Sequence, residues 1–137
     1  MRRLPASPIW AVAGLVPLGA VVGVLLVGVR PTEYRHPHPR PGVSAATVLP
    51  DSALPDVPAA RPGYAAARAY PAVLDGLHCY CNCKLALSHR SLLACFEDRH
   101  GAACEVCQQE AVLAAEMTGA GTTLERVRRA IAGRFAA

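Results

Sequence analysis

Apolar and polar positions divide the chain into three parts. Residues 9–29, IWAVAGLVPLGAVVGVLLVGV, carry no charge, residues 30–63 are rich in proline, and residues 64–137 place apolar side chains at helical spacing. Twenty-one helical residues span about 30 Å, the thickness of a bilayer core. The first part therefore predicts a transmembrane helix that follows a cytoplasmic tail of residues 1–8.

The apolar segment predicts an uncleaved anchor, with a cleaved secretion signal as the alternative. It is longer than the roughly 7–15 apolar residues of a secretion signal, and Arg30 and Pro31 follow it where a cleavage site would need small residues. A short tail before such an anchor normally leaves the rest of the chain outside. We expect the helix to contact membrane lipid and the C-terminal domain to be extracytoplasmic, periplasmic or at the cell surface.

The second part, residues 30–63, predicts a disordered linker. Eight of the twelve prolines lie in it, among alanine, valine and arginine. Proline removes backbone donors and favours extended chain, so we expect no packed core here. As an extended tether the segment reaches at most roughly 100 Å. His36 and His38 are then interpreted as solvated linker residues.

The third part, residues 64–137, predicts an all-α fold, a small and irregular helical bundle. The alanine-rich stretch from Tyr64 to Tyr70 is typical of a helix, and Pro71 suits the first turn of the next one. Ser88 is a candidate N-cap for a helix that carries Leu92, Leu93 and Phe96, with His89 on an exposed turn.

Two longer helices are expected at the end of the chain. An apolar stripe runs from Ala103 to Met117 through Val106, Val112 and Leu113, and Gly119 and Gly121 end it. The sequence Thr-Thr-Leu-Glu at 122–125 fits a capping box. The residues that then recur at helical spacing are Leu124, Val127, Ile131 and Phe135.

Charge and motif content exclude several functions. The third part holds eight basic and seven acidic residues, and such a balance argues against a nucleic-acid partner. No Ser/His/Asp set, glycine-rich phosphate loop or paired-carboxylate site stands out, so we predict that the protein is not an enzyme. A domain this short buries a modest core and usually needs disulfides or metal.

All six cysteines lie in this small domain, in two clusters and one single position. Cys104 and Cys107 are three apart near a predicted helix start, which places their sulfurs side by side and favours thiolates. Cys79, Cys81 and Cys83 converge neither in a strand nor in a helix. A curled loop can bring them together, and Asn82 tolerates the left-handed conformation that curling needs.

Soft-metal binding is the function that these thiols favour, with Cu(I) first, because copper(I) prefers two or three thiolates. Zinc in a four-ligand site is the near alternative. A disulfide-linked structural or interaction module is the competing class, and a thiol–disulfide redox protein a weaker one. A metal-donor or acceptor protein is the expected partner. The candidate ligands are Cys79, Cys81, Cys83, Cys95, Cys104, Cys107, His78 and His100.

The same residues carry a family resemblance. C-Y-C-N-C from Cys79, the single Cys95 and H-G-A-A-C-E-V-C from His100 resemble the bacterial PCYCGC-motif proteins, over about Tyr64 to Phe135. The chain has His78 where the motif has proline, and asparagine where it has glycine. The resemblance implies an exported, membrane-tethered, thiol-rich head and supplies no substrate.

Overall fold

The computed structural model describes residues 35–54, 56–82 and 87–136, all within one compact unit. Every regular element in these stretches is helical, which confirms the all-α prediction for them. The predicted cytoplasmic tail and transmembrane helix lie outside the described residues. Among the helices that are described, none has the length and apolar character to cross a membrane.

The described residues form five α-helices and four short 3-10 turns. The helices are α1 (Arg61–Ala69), α2 (Pro71–Asp75), α3 (His100–Ala103), α4 (Glu105–Gly119) and α5 (Leu124–Phe135). The 3-10 turns are Ala45–Thr47, Asp51–Ala53, Pro58–Ala60 and Leu93–Phe96. Helix α4 is the centre of the bundle, with α1 on one side and α5 packed beside it.

One continuous core joins these elements. The rings of Tyr64 in α1 and Phe96 in the last 3-10 turn meet edge to face, with centroids 5.0 Å apart. The other large side chains with no exposed surface include Leu54, Leu74, Leu77, Leu92, Leu93, Val127 and Ile131. Burial of each such side chain contributes about 1.5–3 kcal/mol to the stability of the fold. Because these residues are distributed from Leu54 to Ile131, the core extends through the described unit.

Several helix boundaries agree with the sequence pattern. Pro71 begins α2, Gly119 is the last residue of α4, and Gly121 follows with a φ of 78°. Thr123 occupies the N-cap position of α5, but its side chain makes no capping hydrogen bond. Helix α5 thus begins one residue later than a capping box at 122–125 implies, and the capping hydrogen bond is not formed.

The predicted helix after Ser88 is wrong. Ser88 has a φ of 58°, a left-handed backbone that cannot cap a helix, and the element shrinks to the 3-10 turn Leu93–Phe96. Leu92, Leu93 and Phe96 are nevertheless buried. Their spacing therefore predicted correctly that they are buried, but not the length of the helix.

The buried face of α4 also differs from the predicted apolar stripe. Val106 is 37% exposed, whereas the buried positions of the helix are Cys107, Glu110, Ala111 and Ala114. These four positions follow i, i+3, i+4 and i+7, the spacing of one helix face. A sulfur and a carboxyl group thus lie on the face that packs inward.

The structure differs from the predicted linker over residues 35–54 and 56–63. Val48 and Leu54 are buried in the same core as the helices. The Arg40 backbone N–H donates to Asp75 Oδ2 at 2.6 Å, and the Leu49 N–H donates to the Phe96 carbonyl at 2.9 Å. Apolar residues spaced between the prolines bury well, and the 3-10 turns satisfy backbone groups, so this stretch packs on the head instead of extending.

Candidate metal centre

A tight loop after α2 brings the first two cysteines together. The backbone of Asn82 has a φ of 63°, the left-handed conformation that the sequence predicted for a curled loop. The loop begins where the Leu92 N–H donates to the Leu77 carbonyl at 2.9 Å. The sulfurs of Cys79 and Cys81 lie 3.3 Å apart as a result. Cys83, the third cysteine of the motif, lies outside the described residues.

Helix α4 supplies the third sulfur. Cys107 lies in its first turn, on the buried face, and its Sγ is 3.4 Å from the Sγ of Cys79 and 3.4 Å from that of Cys81. The three sulfurs therefore form a nearly equilateral triangle. A loop and a helix that are far apart in the chain meet at this point.

Cys95 completes what we call the buried sulfur group. It lies in the 3-10 turn Leu93–Phe96 and is fully buried. The sulfurs of Cys79, Cys81, Cys95 and Cys107 all lie within 4.8 Å of one another. Only Cys81 of the four is partly exposed, so the group is closed to bulk water on most sides.

Gly101 allows α3 to approach this group. A Cβ atom at Gly101 would lie 2.7 Å from the Cys95 carbonyl oxygen and 2.9 Å from the Phe96 ring, closer than real Cβ contacts. With no side chain there, α3 packs directly on the 3-10 turn. The preceding residue, His100, then lies with its Nε2 3.8 Å from the Sγ of Cys81.

A second set of ligand atoms, the outer group, overlaps the first. The ligand atoms of Cys81, His100, Cys104 and Cys107 lie within 4.8 Å of one another, and three of these residues are partly exposed. Cys104 is the N-cap of α4, with extended backbone, rather than a residue within the helix. The three-residue spacing nevertheless places Cys104 and Cys107 in the same group, as the sequence suggested.

The third set, the imidazole group, comprises His89, Cys95 and His100. His89 Nδ1 lies 3.4 Å from the Cys95 Sγ, and the two imidazole rings meet edge to face at 5.2 Å. His89 was expected to lie on an exposed turn, but its side chain is only 12% exposed. No periodic pattern around residue 89 indicates which way the loop turns, so this residue was missed.

Two thiols of the buried sulfur group, those of Cys79 and Cys107, are held in the neutral form. A hydrogen bond with Cys107, together with burial, raises the pKa of the Cys79 thiol. For Cys107 the contact with Cys79 lowers the pKa, but the contact with Cys95 and burial outweigh it, and the net direction is upward. The prediction that the helix start favours a Cys107 thiolate is therefore wrong.

Glu110 adds a buried carboxyl group next to these sulfurs. Burial raises its pKa to about 7, although the Tyr80 N–H, which donates to Oε1 at 2.8 Å, and the nearby Cys79 lower it. Within the described part of the chain its Oε2 has no hydrogen-bond partner. Glu110 was not among the predicted site residues, although its position three residues after Cys107 was an available signal.

His78 does not belong to any of the three groups found among the described residues. Its ring is buried and packs edge to face on Tyr80, with centroids 4.9 Å apart. Its backbone N–H donates to Nδ1 of His36 at 3.0 Å. His36 was expected to be solvated, but it is partly buried, and burial lowers its pKa.

The described cysteines are not joined to one another by disulfides. They are Cys79, Cys81, Cys95, Cys104 and Cys107. The disulfide framework that the sequence left open is therefore not found in the described stretches. Four close, unbonded sulfurs with two imidazoles beside them are a set of soft and borderline metal ligands.

A family model described as a protein of unknown function with PCYCGC motif matches residues 42–137. The match confirms the resemblance in the cysteine pattern and begins earlier, within the stretch that packs on the helices. No curated protein and no solved structure matches the chain.

Proposed function

The chain belongs to the family of proteins of unknown function with the PCYCGC motif, and we propose that its cysteine-rich head binds a soft metal ion, Cu(I) first, to hold it or pass it on. One observation carries the proposal: the sulfurs of Cys79, Cys81, Cys95 and Cys107 converge within 4.8 Å in a largely buried place. The packing of the core alone gives no reason for four thiols to meet at one point.

The sulfur triangle suits a copper(I) ion. Cu(I) accepts two or three thiolates, and Cys79, Cys81 and Cys107 supply three at 3.3–3.4 Å from one another. With metal–sulfur bonds of about 2.3 Å, the length known for zinc thiolates, three sulfurs around an ion lie about 4 Å apart. The triangle therefore opens by roughly half an ångström on loading. The carboxyl group of Glu110, whose Oε2 has no hydrogen-bond partner among the described residues, lies beside these sulfurs.

Zinc is the second candidate, and the outer group favours it. Three cysteines and one histidine, here Cys81, Cys104, Cys107 and His100, are a common structural zinc set. Because Cys81 and Cys107 belong to both groups, zinc in the outer group and Cu(I) in the triangle compete for the same sulfurs.

The cellular side of the proposal follows from the sequence. An anchor at residues 9–29 would hold the head on the outer face of the cytoplasmic membrane, where a metal-donor or acceptor protein could reach it. The partly exposed Cys81 and Cys104 are the sulfurs that such a partner would contact first. In this proposal the protein is a carrier or reservoir and not an enzyme.

The test uses the full-length chain, reduced and purified in detergent without oxygen. We expect titratable thiols, retention of Cu(I) against a competing chelator, and tighter retention of copper than of zinc. Cys107→Ser should lose most Cu(I), whereas Cys104→Ser, outside the triangle, should retain it. Helical circular dichroism confirms that both variants are folded.

Two results would contradict the proposal. The first is a reduced wild-type chain that retains no Cu(I). The second is a folded Cys107→Ser chain that holds Cu(I) as tightly as the wild type, since that places the ion away from the triangle.

A further inference from the structure

We propose that His89, Cys95 and His100 form a second metal site, which takes a borderline divalent ion such as Zn²⁺ beside the copper triangle. The ligand atoms of these three residues lie within 4.8 Å of one another. His89 Nδ1 faces the Cys95 sulfur at 3.4 Å, and the ring of His100 stands against that of His89. Two imidazoles and one thiolate are ligands that zinc accepts, with a fourth position left open.

Asp98 provides the support that a histidine ligand needs. Its Oδ2 lies 3.6 Å from Nε2 of His89, on the side of the ring away from Cys95. Its Oδ1 accepts a hydrogen bond from the His100 backbone N–H at 2.7 Å. A carboxylate behind a ligating histidine fixes the ring and the nitrogen that faces the metal. The Asp98 carboxylate thus lies behind the His89 ring and holds the backbone of His100.

Asp98 is itself held in place by the core. Its carbonyl oxygen accepts a hydrogen bond from the buried Tyr64 hydroxyl at 2.6 Å. The direct packing of Gly101 on the Cys95 carbonyl fixes the neighbouring α3. The backbone that carries Cys95 and His100 is therefore held in place before any ion arrives, which lowers the entropy cost of binding.

The second site is compatible with the first because the four buried sulfurs exceed what one Cu(I) ion needs. This inference rests on the proposed function in that respect: the triangle consists of Cys79, Cys81 and Cys107, and the Cys95 sulfur lies 3.4 Å from His89 Nδ1. The Cys95 sulfur also contacts the other buried thiols, so it can bridge the two ions. We infer a two-metal centre with a sulfur-rich half and a nitrogen-containing half.

The test again uses the full-length reduced chain in detergent. The chain is loaded with one equivalent of Cu(I), given one equivalent of Zn²⁺, desalted, and analysed for both metals and for the zinc ligands by X-ray absorption. We expect one retained zinc with nitrogen neighbours at about 2.0–2.1 Å and one sulfur at about 2.3 Å. His89→Ala should lose the zinc and keep the copper.

Two further variants sharpen the result. His38→Ala removes an exposed histidine whose side chain belongs to none of these groups, and it should retain both metals. Asp98→Asn keeps a side chain of the same shape without the charge, and we expect zinc affinity to fall about 10–100-fold while the zinc ligands stay the same.

The possible outcomes separate this inference from the proposed function. Zinc uptake that is unchanged in His89→Ala, a sulfur-rich zinc shell, or no zinc at all overturns the second site, even where Cu(I) is retained. Loss of copper binding with a zinc shell that still depends on His89 overturns the proposed function and leaves the second site standing.

Discussion

The sulfurs of Cys79 and Cys107 lie 3.4 Å apart although 28 positions separate the two residues in the chain. This contact joins the curled loop to the first turn of α4 and closes the sulfur triangle with Cys81. In the metal-free chain both thiols have raised pKa values, so they are neutral at physiological pH. An ion that binds there must displace their protons.

Metal loading should therefore stabilise the fold through this contact. An ion that binds only the folded chain stabilises it by about 2.7 kcal/mol at a free concentration roughly a hundredfold above Kd. We expect Cu(I) to raise the melting temperature of the reduced full-length chain, measured by circular dichroism.

A comparison of two cysteine variants provides the control for this effect. Cys79→Ser should abolish the copper-dependent rise, and Cys104→Ser should leave it in place. A rise of equal size in Cys79→Ser would contradict the triangle as the binding site.

The fold class was predictable because apolar spacing in α5 and proline or glycine at helix ends act locally. Val127 and Ile131 are buried as their spacing required, and Pro71 begins a helix. The packing of residues 35–54 was not predictable in this way. Val48 and Leu54 do not belong to a periodic pattern of apolar residues. Only tertiary contacts distinguish a segment that packs on the core from an extended linker.

The candidate site was predictable as far as residue type and local spacing reach. The left-handed Asn82 and the shared group of Cys104 and Cys107 follow from local geometry. The positions of His89 and Glu110 depend on how the loop and α4 meet, which no short-range pattern encodes. The position of the His78 side chain likewise depends on a ring contact with Tyr80, which no short-range pattern predicts.

Gly101→Ala should separate α3 from the sulfur group. The new Cβ would lie 2.7 Å from the Cys95 carbonyl, a rigid backbone atom, so the helix must shift. We expect a loss of about 1–3 kcal/mol in the free energy of unfolding, measured by urea denaturation, together with weaker zinc binding because His100 moves.

A matched glycine in α5 provides the control. A Cβ at Gly133 meets nothing within 4 Å, so Gly133→Ala should be neutral or stabilising by about 0.5–1 kcal/mol. Equal effects of the two substitutions would mean that the close approach at Gly101 has no role in stability.

Leu54→Ala tests whether the proline-rich stretch belongs to the fold. Leu54 is fully buried, and truncation of a buried leucine costs about 2–5 kcal/mol. We expect a loss of that size in urea denaturation of the full-length chain. Leu87→Ala is the matched control, because Leu87 is 48% exposed and should change stability little. Indistinguishable stabilities of Leu54→Ala and the wild type would restore the interpretation of this stretch as a free tether.

Protonation of Asp75 should make the free energy of unfolding depend on pH at low pH. Burial raises its pKa, but hydrogen bonds from Arg40, Ser91 and Arg90 lower it more, so the folded-state pKa lies below the ordinary value of 3.8. The unfolded chain then binds more protons at low pH, and the stability that Asp75 contributes is lost as pH falls below about 4.

Asp75→Asn should remove this part of the acid dependence. At neutral pH the substitution leaves Arg40 and Arg90 without their shared carboxylate, and we expect it to cost about 3 kcal/mol. Urea denaturation between pH 3 and pH 7 should give a smaller pH slope for Asp75→Asn than for the wild type. Glu97→Gln, which removes only the outer, partly exposed partner of Arg40, should keep the wild-type slope. Parallel curves for Asp75→Asn and the wild type would mean that the segment around Arg40 is not held by this charge.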